Sequence, residues 1–266
     1  SVVSIAFLIL MRWYQNRRTY RSLSKGVSVH RTEVKSPVGK ILAMVASIIG
    51  TLILVLPVLV LVLVSFSKDG TWTVQVLPPK YTLENYVTLF TSSRAWRPIR
   101  NSLAMSALAT VASILLGVAA AYALNRFKFK GKSLLDVAVM IPWALPGTVV
   151  AINLIAAFNR PSVFTFGKVV VGTFWILPLA YFVRFSPLVF RSTNATLAQL
   201  DPSVEEAARS LGATWWYSFR RVTFPLMFRG VLAGALMAFV QGVGEFVASV
   251  LIYTARNQPI SVEINN

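Results

Sequence analysis

The sequence contains no cysteine, one histidine and only nine acidic residues among its 266 positions. The absence of cysteine excludes disulfides, thiolate metal ligands and cysteine nucleophiles. The single histidine, His30, lies in a basic polar segment and cannot form the histidine clusters that bind metals or carry acid–base chemistry. We therefore expect a solvated side chain there. The sequence shows no combination of residues that is typical of the active site of a soluble enzyme. We predict neither a catalytic nor a metal site.

Apolar and basic residues, in contrast, are abundant. Hydrophobic residues make up 56% of the chain and charged residues 13%, with a mean hydropathy of +0.65, which is outside the usual range of soluble domains. A net charge of +17 would ordinarily suggest a nucleic-acid partner. Here the lysines and arginines collect in short segments between long apolar runs, which is the positive-inside pattern of membrane proteins. We predict an all-α, polytopic transmembrane helical bundle and no nucleic-acid partner.

Five apolar stretches are long enough to cross a bilayer. We predict transmembrane helices at about residues 41–67, 99–124, 134–158, 169–190 and 230–253. Pro142 and Pro146 break the third of them, and such breaks are tolerated where neighbouring protein satisfies the freed carbonyl groups. Between the first two helices, residues 81–90 have apolar positions at helical spacing, which predicts a helix lying flat on the outer surface.

The first 40 residues precede this bundle. Residues 1–11 are apolar but too short to span a bilayer, and we interpret them as the tail of an upstream transmembrane helix. Residues 12–40 hold eight lysines or arginines against one glutamate. This balance predicts a basic cytoplasmic linker that can also bind anionic membrane lipid. Residues 41–266 then form the transmembrane domain.

A polar segment, residues 201–226, interrupts the apolar runs on the C-terminal side. Asp201 is suited to cap a helix with Pro202 at its first position, and Gly212 supplies the left-handed residue that ends it. Four residues of this helix recur at helical spacing and form a small apolar face: Val204, Ala207, Ala208 and Leu211. A second amphipathic segment extends to Pro225, so we predict two short helices joined by a hinge.

This segment resembles the cytoplasmic EAA loop of type I ABC-importer permeases. The family pattern is Glu-Ala-Ala, three residues, Gly, nine residues, an aliphatic residue, any residue, an apolar residue and Pro. Glu206-Ala207-Ala208, Gly212 and Val222-Thr223-Phe224-Pro225 match every spacing, with Val and Phe in place of the more usual Ile and Leu. The resemblance implies the type I ABC importer permease fold. It also implies that the loop is a coupling helix that docks into a groove of an ATPase subunit.

The resemblance assigns a coupling role to six residues: Glu205, Glu206, Ala207, Ala208, Gly212 and Pro225. The alanines allow two backbones to approach closely, the glycine turns the chain, and the acidic residues give polar contacts at the rim of the docking site. The alternative interpretation is an ordinary amphipathic connector helix that lies on the membrane surface.

Several partners follow from the resemblance. They are two ABC ATPase subunits, a second permease domain and an extracytoplasmic solute-binding protein, assembled in the inner membrane of a bacterial cell. An apolar tail followed by a basic linker fits a fused permease. We therefore expect the second domain to be the N-terminal half of the same polypeptide, and a final helix to be missing after Asn266. The chain has no Gly-x-x-x-x-Gly-Lys-[Ser/Thr] phosphate loop, so we expect no enzymatic activity and no cofactor here, with ATP and Mg bound by the partner ATPase.

Glu245 is the most informative polar residue within an apolar stretch. A carboxylate in the middle of the fifth predicted helix costs several kcal/mol unless it is paired or hydrated. Arg184 in the fourth helix is a candidate partner. The sequence leaves open whether Glu245 lines the translocation path or forms an ion pair that locks two helices. Asn153 and Gln241 are further candidates for the path or for interhelical hydrogen bonds.

Three more segments are similar to the C-terminal half of fused iron(III)-type permeases: Ile141–Pro146, Gly244–Phe246 and Gln258–Glu263. Iron(III) is therefore our first expectation for the solute. Permeases for polyamines, phosphonates, thiamine, sulfate and sugars share the architecture, because a separate binding protein does most of the solute selection. Two alternatives belong to other functional classes. A passive channel or scaffold gives no reason for the EAA spacing. A membrane enzyme would need a nucleophile or a set of metal ligands that come together at one site.

Overall fold

The computed structural model of the chain describes residues 36–72 and 75–264. The predicted tail, residues 1–11, and all but the last five residues of the linker lie outside the described residues. Through the described part, the chain forms helices and turns and no β-strand, which confirms the all-α prediction. The chain divides into two compact units, and the division falls between Trp96 and Arg97.

The first unit is dominated by one long helix, α1, Pro37–Phe66. It begins where the Ser36 hydroxyl accepts a hydrogen bond from the Gly39 N–H at 3.3 Å, and Pro37 stands at the first position, where a missing N–H costs nothing. None of its residues is buried within the chain, and its length and apolarity suit it to cross a membrane. It covers residues 41–66 of the helix predicted at residues 41–67.

Helix α2, Glu84–Thr91, is attached to the end of α1 by side-chain hydrogen bonds. The Asn85 amide donates to the carbonyl of Ser65 at 3.0 Å and to that of Ser67 at 2.9 Å. The Tyr86 hydroxyl lies 2.6 Å from the Ser65 hydroxyl. The two bonds from Asn85 satisfy carbonyl groups at the end of α1, where a helix leaves them without partners. Together with the hydroxyl contact, they fix the predicted amphipathic segment to α1.

The second unit begins at Arg97. Helix α3 starts just before that residue and continues into the second unit. Its helices are α3 (Ser93–Arg126), α4 (Lys132–Ala144), α5 (Gly147–Phe158), α6 (Ile176–Gln199), α7 (Ser203–Ser210), α8 (Trp215–Val243), α9 (Ser249–Ile252) and α10 (Ile260–Glu263). Of these, α3 and α8 are each long and apolar enough to cross a membrane, and α4 with α5 qualifies as one broken span.

The break between α4 and α5 is a sharp bend of 109°. Leu145, between the two helices, has extended φ and ψ of −90° and 134°, because the ring of a following proline disfavours the helical conformation. Pro146 itself cannot donate a helical hydrogen bond. The helix predicted at residues 134–158 is therefore two helices that meet at a steep angle.

Two other predicted helices have different limits in the structure. The helix expected at residues 169–190 begins only at Ile176 and extends to Gln199. The preceding residues form turns, in which Gly172 has a φ of +80°. The helix expected at residues 230–253 instead runs from Trp215 to Val243, so the amphipathic segment predicted as a separate helix is the first part of α8.

Helix α8 passes Pro225 without breaking because it widens just before it. Phe219–Thr223 forms a π-helical turn, in which the Phe224 N–H donates to the Phe219 carbonyl five residues back. A proline ring collides with the carbonyl four residues before it in a regular α-helix, and a wider turn moves that carbonyl away. The second amphipathic segment therefore does not end at Pro225 but continues into α8.

The core of the second unit lies around α6, which packs along α8. Side chains of α6 that are fully buried include Ile176, Leu177, Tyr181, Val189 and Leu197. A Cβ atom added at Gly234 of α8 would lie 2.8 Å from the Val189 Cα and 3.0 Å from the Leu188 carbonyl oxygen. Only glycine allows this approach, and small residues at such contacts are typical of packed membrane helices.

We expect Gly234→Ala to lower the free energy of unfolding by about 1–3 kcal/mol, the usual cost of overpacking. The control is Gly50→Ala in α1, where an added Cβ meets nothing within 4 Å and helix propensity favours alanine by about 1 kcal/mol. Thermal unfolding in detergent measures both variants. Equal stability of the two would contradict the close approach of α6 and α8.

Candidate functional site

The short helix α7 is bounded by the two residues that the sequence singled out. The Asp201 carboxylate accepts a hydrogen bond from the Ser203 N–H at 2.9 Å, and the helix starts at Ser203, one residue later than predicted. At the other end, Gly212 has a φ of +86°, the left-handed conformation predicted there. Its N–H donates to the Arg209 carbonyl at 2.9 Å, so the chain turns sharply after α7.

The two adjacent glutamates of α7 have opposite surroundings. Glu205 is 8% exposed, and its Oε1 forms an ion pair with the Arg126 Nε of α3 at 2.7 Å. Its Oε2 accepts a hydrogen bond from the Tyr122 hydroxyl at 3.2 Å. Glu206 is exposed. The expectation that both glutamates lie at a rim is therefore wrong for Glu205, which points into the chain.

The small apolar face of α7 is directed outward. Val204 and Ala207 are exposed, Ala208 is half-buried, and Leu211 is 90% exposed. Apolar side chains are thus presented beside the exposed Glu206 on one short helix, and a face of this kind is available for another protein. Pro225, the last residue of the motif, lies outside this face, exposed on the first part of α8.

The second candidate region surrounds Glu245, which is 7% exposed. The structure brings its carboxylate and the Arg184 guanidinium of α6 together as an ion pair. Glu245 Oε1 also accepts a hydrogen bond from the Ala248 N–H at 2.7 Å. Glu245 does not lie within a helix, as the sequence suggested, but in the break between α8 and α9. The carboxylate thus binds one N–H group of that break as well as the guanidinium.

The Arg184–Glu245 pair lies against the bend between α4 and α5. A Cβ atom at Gly147, the first residue of α5, would collide with the guanidinium of Arg184 and lie 3.2 Å from the Val247 Cβ. Two interrupted helical segments and the central helix α6 therefore meet at one partly buried ion pair. In a membrane, irregular backbone is tolerated where it is buried in protein in this way.

Hydroxyl and amide groups extend this polar region toward the last described segment. The Glu245 carbonyl accepts hydrogen bonds from the hydroxyls of Ser249 at 2.5 Å and Ser261 at 2.8 Å. The Tyr181 hydroxyl of α6 lies 2.8 Å from that of Ser249. Sequence reasoning overlooked these residues, although serines and tyrosines inside apolar stretches are a usable signal.

Asn101 and Ser102 of α3 hold the same segment from the opposite side. The Asn101 amide donates to the Gln258 carbonyl at 3.1 Å, and the Ser102 hydroxyl accepts from the Ile260 N–H at 2.8 Å. Asn153 on α5 and Gln241 on α8 are exposed, and the structure does not place them with the ion pair. Of the four path candidates, two form one cluster and two lie on open helix surfaces.

Comparison with known proteins identifies relatives over nearly the whole chain. The profile of the family described as "Binding-protein-dependent transport system inner membrane component" matches residues 113–262. The probable ABC transporter permease protein y4fN of Sinorhizobium fredii is 27% identical over 265 residues, which are 99% of this chain and 47% of that protein. The chain thus spans about half the length of y4fN.

Two further relatives carry names that mention a solute. The putative 2-aminoethylphosphonate transport system permease protein PhnV of Salmonella paratyphi A is 31% identical over 219 residues, 82% of this chain and 79% of that protein. The ferric transport system permease protein FbpB of Actinobacillus pleuropneumoniae is 31% identical over 188 residues, 70% of this chain and 27% of that protein.

Solved structures share the fold at lower sequence identity. A crystal structure of a bacterial ABC transporter involved in the import of the acidic polysaccharide alginate matches with a TM-score of 0.69 and 18% identity, over 88% of this chain and 82% of that chain. The same kind of transporter in complex with an alginate pentasaccharide-bound periplasmic protein matches with a TM-score of 0.61 and 20% identity, over 85% and 83%. The arrangement of helices is therefore that of an importer permease.

We expect Arg184→Met alone to lower the free energy of unfolding by about 3–5 kcal/mol, because it leaves the buried Glu245 carboxylate without its partner. Glu245→Gln alone should cost less, because the Arg184 side chain that it leaves is 20% exposed. The double variant should lose much less than the sum of the two single losses, since neither charge then remains. Unfolding in detergent measures all three. The control is Arg191→Gln, an exposed arginine on the same helix, and additive losses would contradict the ion pair.

Proposed function

Since this chain belongs to the family of inner membrane components of binding-protein-dependent transport systems, we propose that it is the permease part of an ABC importer that α7 couples to a separate ATPase. The observation that carries this proposal is the surface of α7. That helix presents exposed apolar residues beside an exposed acid, Glu206, and ends at the left-handed Gly212. Such a surface fits a groove on a partner protein.

Two features of α7 favour docking over a position flat on the membrane. A helix that lies on a membrane surface carries several basic residues on its polar face, whereas the exposed charges of α7 are one acid, Glu206, and one base, Arg209. The buried Glu205 also fixes which face is turned outward. The exposed surface therefore has a small apolar patch with one acid and one base beside it, and it fits an ATPase groove that supplies apolar contacts and a cation for Glu206.

The remaining partners are proposed from the relatives. The y4fN protein is about twice as long as this chain, which supports a second permease domain in the same polypeptide. One of the alginate transporter structures contains a periplasmic protein loaded with a sugar, which supports a solute-binding protein as the third partner. In this assembly, alternating access would be driven by ATPase subunits that move α7 and its equivalent in the second domain.

For the solute, iron(III) is our first candidate and a phosphonate the second. Iron(III) is supported by the segments at residues 141–146, 244–246 and 258–263 and by the relative named as a ferric permease. A phosphonate is supported by the longer match to the 2-aminoethylphosphonate permease. Because solute selection rests mostly with the binding protein, the buried Arg184–Glu245 pair is not assigned to either solute.

Glu206→Lys should weaken binding of the ATPase subunit at least tenfold, which corresponds to about 1.4 kcal/mol, since it reverses the charge on the docking face. The matched control is Glu84→Lys in α2, which is likewise an exposed glutamate in the first turn of a helix. Co-purification of the ATPase with the full permease measures both variants. A passive channel or scaffold predicts no co-purified ATPase and no effect of either substitution.

ATP hydrolysis by the complete importer in proteoliposomes identifies the solute. We expect stimulation by an iron(III)-loaded binding protein encoded beside the permease. Stimulation by a 2-aminoethylphosphonate-loaded protein and not by the iron-loaded one would keep the importer mechanism and replace the solute. An ATPase rate that responds to no loaded binding protein would reject the importer itself.

A further inference from the structure

The proposed docking of α7 on an ATPase gives a role to the exposed Glu206 but not to its buried neighbour Glu205. We propose that Glu205 is a positioning residue, which fixes α7 to the C-terminal end of α3 so that the two helices move as one body. This proposal rests on the coupling role of α7 proposed above. The residues that carry it are called here the Glu205 network: Glu205, Arg126, Tyr122 and Trp215.

Both carboxylate oxygens of Glu205 are occupied by groups on α3. Oε1 accepts from the Arg126 Nε at 2.7 Å, and Oε2 accepts from the Tyr122 hydroxyl at 3.2 Å. Tyr122 and Arg126 are four residues apart on α3 and therefore lie on the same face of that helix. Rotation of α7 about its own axis would break both bonds together, so the orientation of its outer face is fixed by this one side chain.

Tyr122 connects the two sides of the turn at Gly212. Its hydroxyl donates to Glu205 on α7 and accepts a hydrogen bond from the Trp215 Nε1 at 2.9 Å, at the start of α8. The Tyr122 ring also packs edge-to-face on those of Trp215 and Phe219, with centroids 5.9 Å and 5.2 Å apart. The segments before and after the Gly212 turn are therefore both bound to one side chain of α3, that of Tyr122.

Arg126, the last residue of α3, extends the network to the end of α6. Its second guanidinium nitrogen donates to the Leu200 carbonyl at 3.4 Å, and Leu200 caps the C-terminus of α6. The cation also lies in the last turn of α3, where the helix dipole favours a positive charge. Three helices and the start of α8 are thus joined through the Glu205 network.

The burial of this network makes it resistant to displacement. The side chains of Glu205 and Arg126 are each 10% exposed, so water and salt screen their attraction only weakly. Charge-assisted hydrogen bonds are also roughly twice as strong as neutral ones. A force applied to the outer face of α7 therefore reaches α3 without first turning α7 on its axis.

A substitution that only disturbs folding would reduce both ATPase binding and coupling. Loss of a positioning residue would reduce coupling alone, so measuring both quantities separates the two roles. In the importer made from the full polypeptide with its ATPase subunits, Glu205→Gln should still bind the ATPase and hydrolyse ATP at the basal rate. Stimulation by the iron(III)-loaded binding protein, or by the 2-aminoethylphosphonate-loaded one if the wild type responds to that, should fall at least about fivefold, the lower range of coupling between sites.

Three variants complete this experiment. Tyr122→Phe removes only the Oε2 bond and should reduce stimulation less than Glu205→Gln. Arg126→Lys keeps the charge and should retain more stimulation than Arg126→Gln. Asn194→Ala is the matched control, because it removes a neighbouring α3–α6 hydrogen bond of 2.6 Å to Asn125 that does not involve α7. We expect wild-type stimulation from it.

A second readout needs no solute. The chain has no cysteine of its own, so Ser203→Cys on α7 and Leu115→Cys on α3, both exposed positions, can carry spin labels in an importer with cysteine-free partners. With otherwise unaltered residues, the distance between the labels should stay the same when ATP, Mg and vanadate trap the ATPase. With Glu205→Gln, the distance should shift or broaden on trapping.

The outcomes separate this inference from the proposed function. If the wild-type permease binds no ATPase, the proposed function fails. If the ATPase binds but Glu205→Gln and Tyr122→Phe leave stimulation and the label distance as in the wild type, the positioning role is rejected. If both variants lose the ATPase altogether, or if the label distance changes on trapping without either substitution, the role is also rejected, because α7 and α3 then do not move as one body.

Discussion

A bilayer offers no hydrogen-bond partner to a polar group, and this constraint governs the second unit of the chain. Every interruption of a helix frees N–H and C=O groups, which cost several kcal/mol each when left unsatisfied in hydrocarbon. The interruptions at Leu145 and after Gly244 lie next to each other, against the centrally packed α6. The Arg184–Glu245 pair lies between them, and the Glu245 carboxylate binds the Ala248 N–H of the second interruption.

The two buried glutamates have the same structural role at two places in the second unit. Each pairs with an arginine of another helix: Glu245 with Arg184 on α6, and Glu205 with Arg126 on α3. Each carboxylate also accepts a further hydrogen bond, from the Ala248 N–H at Glu245 and from the Tyr122 hydroxyl at Glu205. Buried ion pairs add little net stability relative to apolar packing. Their effect here is to specify which interrupted segment lies against which helix.

The sequence predicted the helical class and the existence of most helices, because apolar stretches and basic loops can be recognised directly in the sequence. It also predicted the turn at Gly212 and proposed Arg184 as the partner of Glu245. It could not separate Glu205 from Glu206, since both are acidic and adjacent, and only the position of α3 decides which one is buried. The role of Asn101 and Ser102 was missed for the same reason: their partners are more than 150 residues away in the sequence.

The π-helical turn in α8 has a consequence for comparing this chain with its relatives. Buried positions along α8 include Ser218, Thr223, Met227, Val231 and Gly234, and the step of five residues from 218 to 223 is longer than the steps of four or three that follow. A search for one helical period therefore loses phase there, and the sequence did not show that the amphipathic segment and the following apolar helix are continuous. For the same reason, a one-residue gap in an alignment of relatives belongs within Phe219–Thr223. At any other place in α8, it would rotate the buried face by about 100°.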